Sequence, residues 1–375
     1  MRSARTASLY YWVMTLGGKP LAVAAQQVTV DRSIAYPRDL PSLTSLRAFA
    51  ALLVFVFHLG QWGLPFHAGY VGYVGVAFFY VLSGFVLTWG VAPNSTIRRF
   101  YVRRFARIYP SHLFVWLLVI LLPLVVVPPT ASQLVANGLL VQAWYPEGTL
   151  VYSMNGVAWS LSCELAFYLL FPVILRLMLK ARLSLLWAVV GFLYAVANIA
   201  VVVASRTTTP DDPFFVFVST NPAVRLPEFL IGVALAMSLR SGVRVKLWPA
   251  LVIVGGSFAG LVLFSDKPAG STWAAPVFAL VIALAAQSDF TGRSLLRAPW
   301  LVYAGRISFA FYLVHQLVIV NLNRYLGGSY LNSALALAIS VLLAACVHHL
   351  VELPSHKFLV GRAGVPKRNS RNDSI

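Results

Sequence analysis

Charge is scarce in this chain of 375 residues, and only 11% of them are Asp, Glu, Lys or Arg. A soluble domain carries about 25%, so the shortage excludes an ordinary water-facing protein. Acidic residues are the rarer sign, 11 against 29 Lys and Arg, for a formal net charge of +18. In a soluble chain that excess would point to nucleic acid. Here the basic residues fall in short clusters between apolar runs, the positive-inside pattern of a membrane protein, and no nucleic-acid partner is expected. The two cysteines, Cys163 and Cys346, both lie in apolar runs, so no disulfide framework is implied. No HExxH or CxxC accompanies the histidines, and no metal site is expected. The chain also lacks an internal repeat, a soluble domain and a clear cleavage signature after its short apolar stretch at 9–16.

What is present is hydrocarbon: 59% of residues are hydrophobic, and the mean hydropathy is +0.78. About ten runs approach the roughly 20 apolar residues that a helix needs to cross a bilayer. They fall near 43–59, 71–90, 111–127, 159–179, 183–204, 223–239, 247–264, 272–287, 300–322 and 332–351. The expected fold is an all-α integral membrane protein embedded in the lipid bilayer. Every second loop is basic, as with Arg98–Arg107, Lys180 and Arg182, Arg240–Lys246, and Arg293 with Arg297. An even number of spans with both termini in the cytoplasm satisfies all of these loops. Residues 1–40 read as a cytoplasmic extension, poorly ordered or interfacial. Residues 41–358 form the transmembrane domain, and 359–375 a basic, disordered tail.

Three places in the hydrocarbon hold groups that could carry chemistry. Arg47 and His58 lie eleven residues apart in SLRAFAALLVFVFHL, close to three helical turns, so they share one stripe about 16 Å apart along the axis. Ionisable groups in a membrane need a partner or a wet cavity. Neutral imidazole can take a proton from an alcohol near neutral pH; guanidinium cannot, but it grips phosphate with two prongs. The second place is RRFYVRRFARIYP, where Arg104 and Arg107 share a helical face and Pro110 suits the first turn of the next helix. It reads either as a topological anchor or as a site for donor phosphates. The third is Trp159-Ser160-Leu161-Ser162-Cys163-Glu164. Glu164 either pairs with an arginine of another span or supports catalysis, by orienting His58 or polarising the acceptor. His315, in an apolar helix, needs a polar partner that the sequence does not name. His348 and Glu352, four apart, read as a helix-end pair. The Ser83-Gly84 pair reads as close helix packing.

These segments, in this order, resemble the membrane-bound acyltransferase 3 family of bacterial O-acyltransferases that act on carbohydrates. SLRAFAALLVFVFH is similar to that family's first span, through Arg47 and His58. GYVGVAFFYVLSGFVLTW is similar to its second span. RRFYVRRFARIYP is similar to its Arg-x-x-Arg block, through Arg104 and Arg107. WSLSCELAFYLLFP carries Trp159 and Glu164, and GRISFAFYLVHQLVI carries Gly305, Arg306, Ser308, Tyr312, Leu313 and His315. The resemblance covers about Pro41 to Phe358. One departure is the acidic residue that many members hold just before the first-span arginine; Thr44 and Ser45 stand there instead.

The resemblance implies transfer of an acyl group, acetyl by default, from acyl-CoA to a hydroxyl of a surface polysaccharide or a glycosylated natural product such as a macrolide. Acyl-CoA is a co-substrate and no cofactor is held permanently. His58 and Glu164 are the expected catalytic residues. Arg47, Arg104 and Arg107 are expected at the donor, and Trp159 and His315 at the substrate. Some members fuse a hydrolase-like domain after the membrane part. The expectation for this chain is acceptor delivery within the membrane or through a partner protein. The expected location is the bacterial cytoplasmic membrane. The competing reading is a transporter or flippase of an acylated or anionic glycan precursor, since membrane Arg, His and Glu also mark ion paths. Internal repeats, a frequent mark of that class, are lacking.

Overall fold

The computed structural model describes residues 37–362, apart from 38, 64–71, 92–95, 123, 125–126, 264–273 and 293, and four two-residue strands before them. Those strands form two small antiparallel pairs, Leu9–Tyr10 with Ala25–Gln26 and Thr15–Leu16 with Lys19–Pro20. The rest of the expected extension, and the tail beyond Arg362, lie outside the described residues. The body is helical throughout: α1 Pro41–Gln61, α2 Val74–Trp89, α3 Ile97–Leu121, α4 Ala131–Gly138, α5 Gly148–Val151, α6 Trp159–Met178 and α7 Leu183–Thr207. There follow α8 Pro213–Thr220, α9 Pro222–Arg240, α10 Leu247–Leu263, α11 Ala275–Thr291, α12 Pro299–Leu326, α13 Tyr330–Val347 and α14 Leu353–Arg362.

Among the described residues, each of the ten runs expected from the sequence overlaps a helix. Among the described residues, seven helical stretches are long and apolar enough to cross a membrane: Pro41–Gln61, Ile97–Leu121, Gly156–Met178, Leu183–Thr207, Pro213–Arg240, Pro299–Leu326 and Tyr330–Arg362. Helices α2, α10 and α11 are shorter, at 16, 17 and 17 residues. Three local readings are corrected. Helix α3 starts at Ile97, capped by the Thr96 side chain, so the arginine block is helix rather than loop. Pro110 therefore sits inside α3, not in its first turn. A proline there withholds one backbone N–H and crowds the preceding turn, yet the helix continues to Leu121. At the other end, α14 carries residues 359–362, which were expected in a disordered tail.

Small residues let the central helices touch backbone to backbone. A Cβ on Gly84 of α2 would meet the Phe229 carbonyl of α9, and one on Gly232 would meet that of Val81. With Arg225 over Tyr80 near one end and Arg240 at Trp89 near the other, the two helices run parallel and interlocked, the small-residue packing expected of Ser83-Gly84. A Cβ on Gly305 of α12 would meet the Thr44 carbonyl of α1. Contacts at Gly305–Thr44 and Gly328–Gly63 make α1 and α12 parallel neighbours. At the Pro41 end of the bundle, the Asp289 carboxylate accepts from Ser42 N (2.9 Å) and Oγ (2.8 Å), and Arg240 donates to the Trp89 carbonyl. Many outward side chains of α7 and α13 are apolar and exposed, as a lipid-facing surface requires.

Candidate active site

The parallel pairing of α1 and α12 brings His58 and His315 together although 257 residues separate them. His315 is fully buried and His58 nearly so. Nδ1 of His315 lies 2.8 Å from the Tyr312 carbonyl and 3.2 Å from that of Phe311. Carbonyls only accept, so this nitrogen carries the proton and Nε2 is left with a lone pair. That Nε2 lies 3.0 Å from Nδ1 of His58, which is also 3.0 Å from the Val54 carbonyl. With two acceptors facing it, His58 Nδ1 is the protonated nitrogen. Nε2 of His58 then keeps its lone pair, and no described residue hydrogen-bonds to it. The polar partner that His315 needs is thus His58, and the imidazole is oriented by His315 rather than by Glu164.

Towards the Pro41 end lies a second cluster, built on α1, α3, α6 and the π-helical turn His348–Glu352. Arg107 forms an ion pair with Glu352, whose other oxygen lies 3.0 Å from Nδ1 of His348. The helix-end pair read from the sequence is therefore real, and it also holds Arg107. Arg104 stands over the Tyr168 ring at 5.8 Å, and its buried Nε has no hydrogen-bond partner. Glu164 accepts from the Tyr168 hydroxyl at 3.1 Å, and Ser83 Oγ lies 3.4 Å from the same hydroxyl. Among the described residues Glu164 makes no ion pair within 4.0 Å, although the charges of Arg47, Arg107 and Arg104 all act on it. Arg47 feels Arg107, Glu352 and Glu164 in turn. Arg47, Arg104 and Glu164 are each half-buried.

Trp159 is buried and stacks on Tyr73 with ring centres 5.9 Å apart and planes at 17°. Tyr73 meets the edge of Phe57 at 5.8 Å, and Phe57 meets His58 at 5.1 Å. Tyr312 joins Ser160 Oγ at 2.8 Å and lies 5.7 Å from the His315 ring. Trp159 thus sits beside the histidine pair, two rings removed from His58. Of the expected site residues, His58 and His315 meet directly, Arg47, Arg104, Arg107 and Glu164 gather at the Pro41 side, and Trp159 lies towards the Gln61 end. Sequence reading passed over Arg225 and Glu228. Both are almost completely buried on α9, 3.1 Å apart at Nη1 and Oε1. Their signal was two opposite charges three residues apart inside an apolar run.

Comparison with known proteins bears on this geometry. The acyltransferase domain model (Acyl_transf_3) matches residues 40–349. Acyltransferase MdmB of Streptomyces mycarofaciens is 37% identical over 368 residues, covering 87% of this chain and 94% of its own. O-acetyltransferase OatA of Staphylococcus aureus is 28% identical over 324 residues, covering 77% of this chain and 52% of its own. The putative peptidoglycan O-acetyltransferase YrhL of Bacillus subtilis is 27% identical over 360 residues, covering 84% and 55%. The chain therefore spans nearly all of the first relative and about half of the other two. No solved structure matches. The matched region holds both histidines, the arginine cluster and Glu164, and the chain belongs to the acyltransferase 3 family of enzymes.

Proposed function

We propose that the protein is a multi-pass O-acyltransferase of the bacterial cytoplasmic membrane that moves an acyl group, acetyl by default, from acyl-CoA to a carbohydrate hydroxyl. The observation that carries this reading is the setting of His58: Nδ1 lies 3.0 Å from both the Val54 carbonyl and His315 Nε2, an arrangement that favours the proton on Nδ1 and a lone pair on Nε2. Such an imidazole is a base for an alcohol. In the proposed reaction the acceptor oxygen attacks the thioester carbonyl while its proton passes to His58 Nε2. A C–O bond forms, the C–S bond breaks, and the proton leaves with the coenzyme A thiolate. Arg47 and Arg104 face the donor, as phosphate ligands or as stabilisers of the developing oxyanion. Arg107, already paired with Glu352, positions the arginine cluster. Ten membrane-crossing helices with both termini in the cytoplasm put the arginines on the side from which acyl-CoA arrives, with His58 deeper.

The names of OatA and YrhL, O-acetyltransferases, support the reaction class. The test is purified full-length protein in detergent with acyl-labelled acetyl-CoA and soluble glycosides. Label appearing on a glycoside hydroxyl is expected. Acetyl-CoA left intact with every acceptor, by protein that is folded and monodisperse, would overturn the proposal.

A further inference from the structure

Arg225 and Glu228 have no part in the chemistry above, yet they are among the most deeply buried charges of the described residues, 1% and 2% exposed. An ion pair built only to hold helices together should be saturated. This one is not. Nε, Nη1 and Nη2 of Arg225 and Oε2 of Glu228 all lack a hydrogen-bond partner, because the 3.1 Å approach does not direct an N–H at the carboxylate. Gln142 is wholly buried with neither amide atom bonded, and Ser162 Oγ and Ser219 Oγ are buried and unbonded as well. Gln142 lies in the turn Gln142–Trp144, which packs on α6 and α8, the helices of Ser162 and Ser219. Buried polar groups are nearly always satisfied, so a concentration of unsatisfied ones calls for a missing partner.

We propose that these five side chains are the acceptor subsite, and that they take the ring hydroxyls of an uncharged sugar. The inference rests on the acyl-transfer reading above. Charge selects the ligand class. A phosphate would be attracted by Arg225 and repelled by Glu228, whereas a hydroxyl can accept from the first and donate to the second. The donor's phosphates have their own arginines, Arg47 and Arg104, in the proposed reaction. Aromatic rings complete the subsite: Tyr80 lies under the Arg225 guanidinium at 5.5 Å, and Tyr73, whose hydroxyl donates to the Ser219 carbonyl at 3.4 Å, stacks on Trp159. Flat apolar faces beside converging polar groups suit a pyranose, which is apolar on its C–H face and polar at its rim. Tyr73 and Phe57 are the two rings that link this subsite to His58.

The test measures steady-state transfer by full-length protein in detergent, with acetyl-CoA as donor and methyl glucoside, methyl galactoside and methyl rhamnoside as acceptors. Glu228→Gln and Gln142→Leu should each raise the KM for the glycoside by about tenfold or more, the scale for unpairing a site built to bond a hydroxyl. The KM for acetyl-CoA should stay at the wild-type value. Unchanged glycoside KM in a folded variant overturns the proposal, as does a rise confined to acetyl-CoA. If Glu228→Gln fails to fold, Gln142→Leu, which removes no charge, decides alone. A wild-type enzyme that consumes no acetyl-CoA at all refutes the acyl-transfer reading instead, so the two failures are distinguishable.

Discussion

At the scale of single residues, what matters is which nitrogen of His58 holds the proton. The Val54 carbonyl and His315 Nε2 both face Nδ1, and His315 can act as an acceptor because its own Nδ1 is committed to backbone carbonyls. This is a chain of tautomers in which each ring fixes the next. His315→Leu removes the acceptor and should lower kcat by about ten- to a hundredfold, the range for partners that orient a working histidine, with both KM values unchanged. His315→Gln, whose amide oxygen can accept the same N–H, should retain more of the rate. The check is a kcat and KM comparison of the two variants. Equal losses, or a rise in KM for the acceptor, would instead put His315 against substrate, the role expected from the sequence.

At the scale of elements, α3 and the π-helical turn after α13 decide what the arginines do. Arg104 and Arg107 share a face of α3, but Glu352 holds Arg107 while Arg104 lies over the Tyr168 ring with an unbonded Nε. Lys keeps the charge of Arg but loses its fork. Arg47→Lys and Arg104→Lys should therefore raise the KM for acyl-CoA, and Arg107→Lys should mainly lower thermal stability, by about 1–3 kcal/mol for a weakened charged hydrogen bond. Kinetics at varied acyl-CoA, with melting curves for each variant, check both halves. Unchanged donor KM in all three would leave the cluster as a topological anchor. Helix periodicity alone put Arg47 and His58 on one stripe, so that part of the site was legible in the sequence. The beginning of α3 was not, because arginines at 98, 99, 103, 104 and 107 make a helical segment read as a loop. Nor was the His58–His315 contact, which exists only once α1 and α12 lie side by side. Arg225 and Glu228 escaped notice because the apolar residues around them dominate the run.

At the scale of the whole molecule, the apolar runs foretold the helices because a bilayer leaves the backbone few alternatives. Their packing partners depend on positions such as Gly84, Gly232 and Gly305, whose effect appears only when a second backbone is close. The proposed topology has a direct check: reporter fusions after Pro146 and after Arg244 should report opposite sides of the membrane. Both on one side would contradict it. The central claim is narrower, that His58 takes the acceptor's proton. His58→Ala in the full-length enzyme tests it through the turnover of labelled acetyl-CoA to a glycoside. The account predicts a loss of roughly 10²–10⁴-fold, the contribution of a general base, in a protein that still inserts and still melts near the wild-type temperature. Turnover close to wild type in that variant would contradict it.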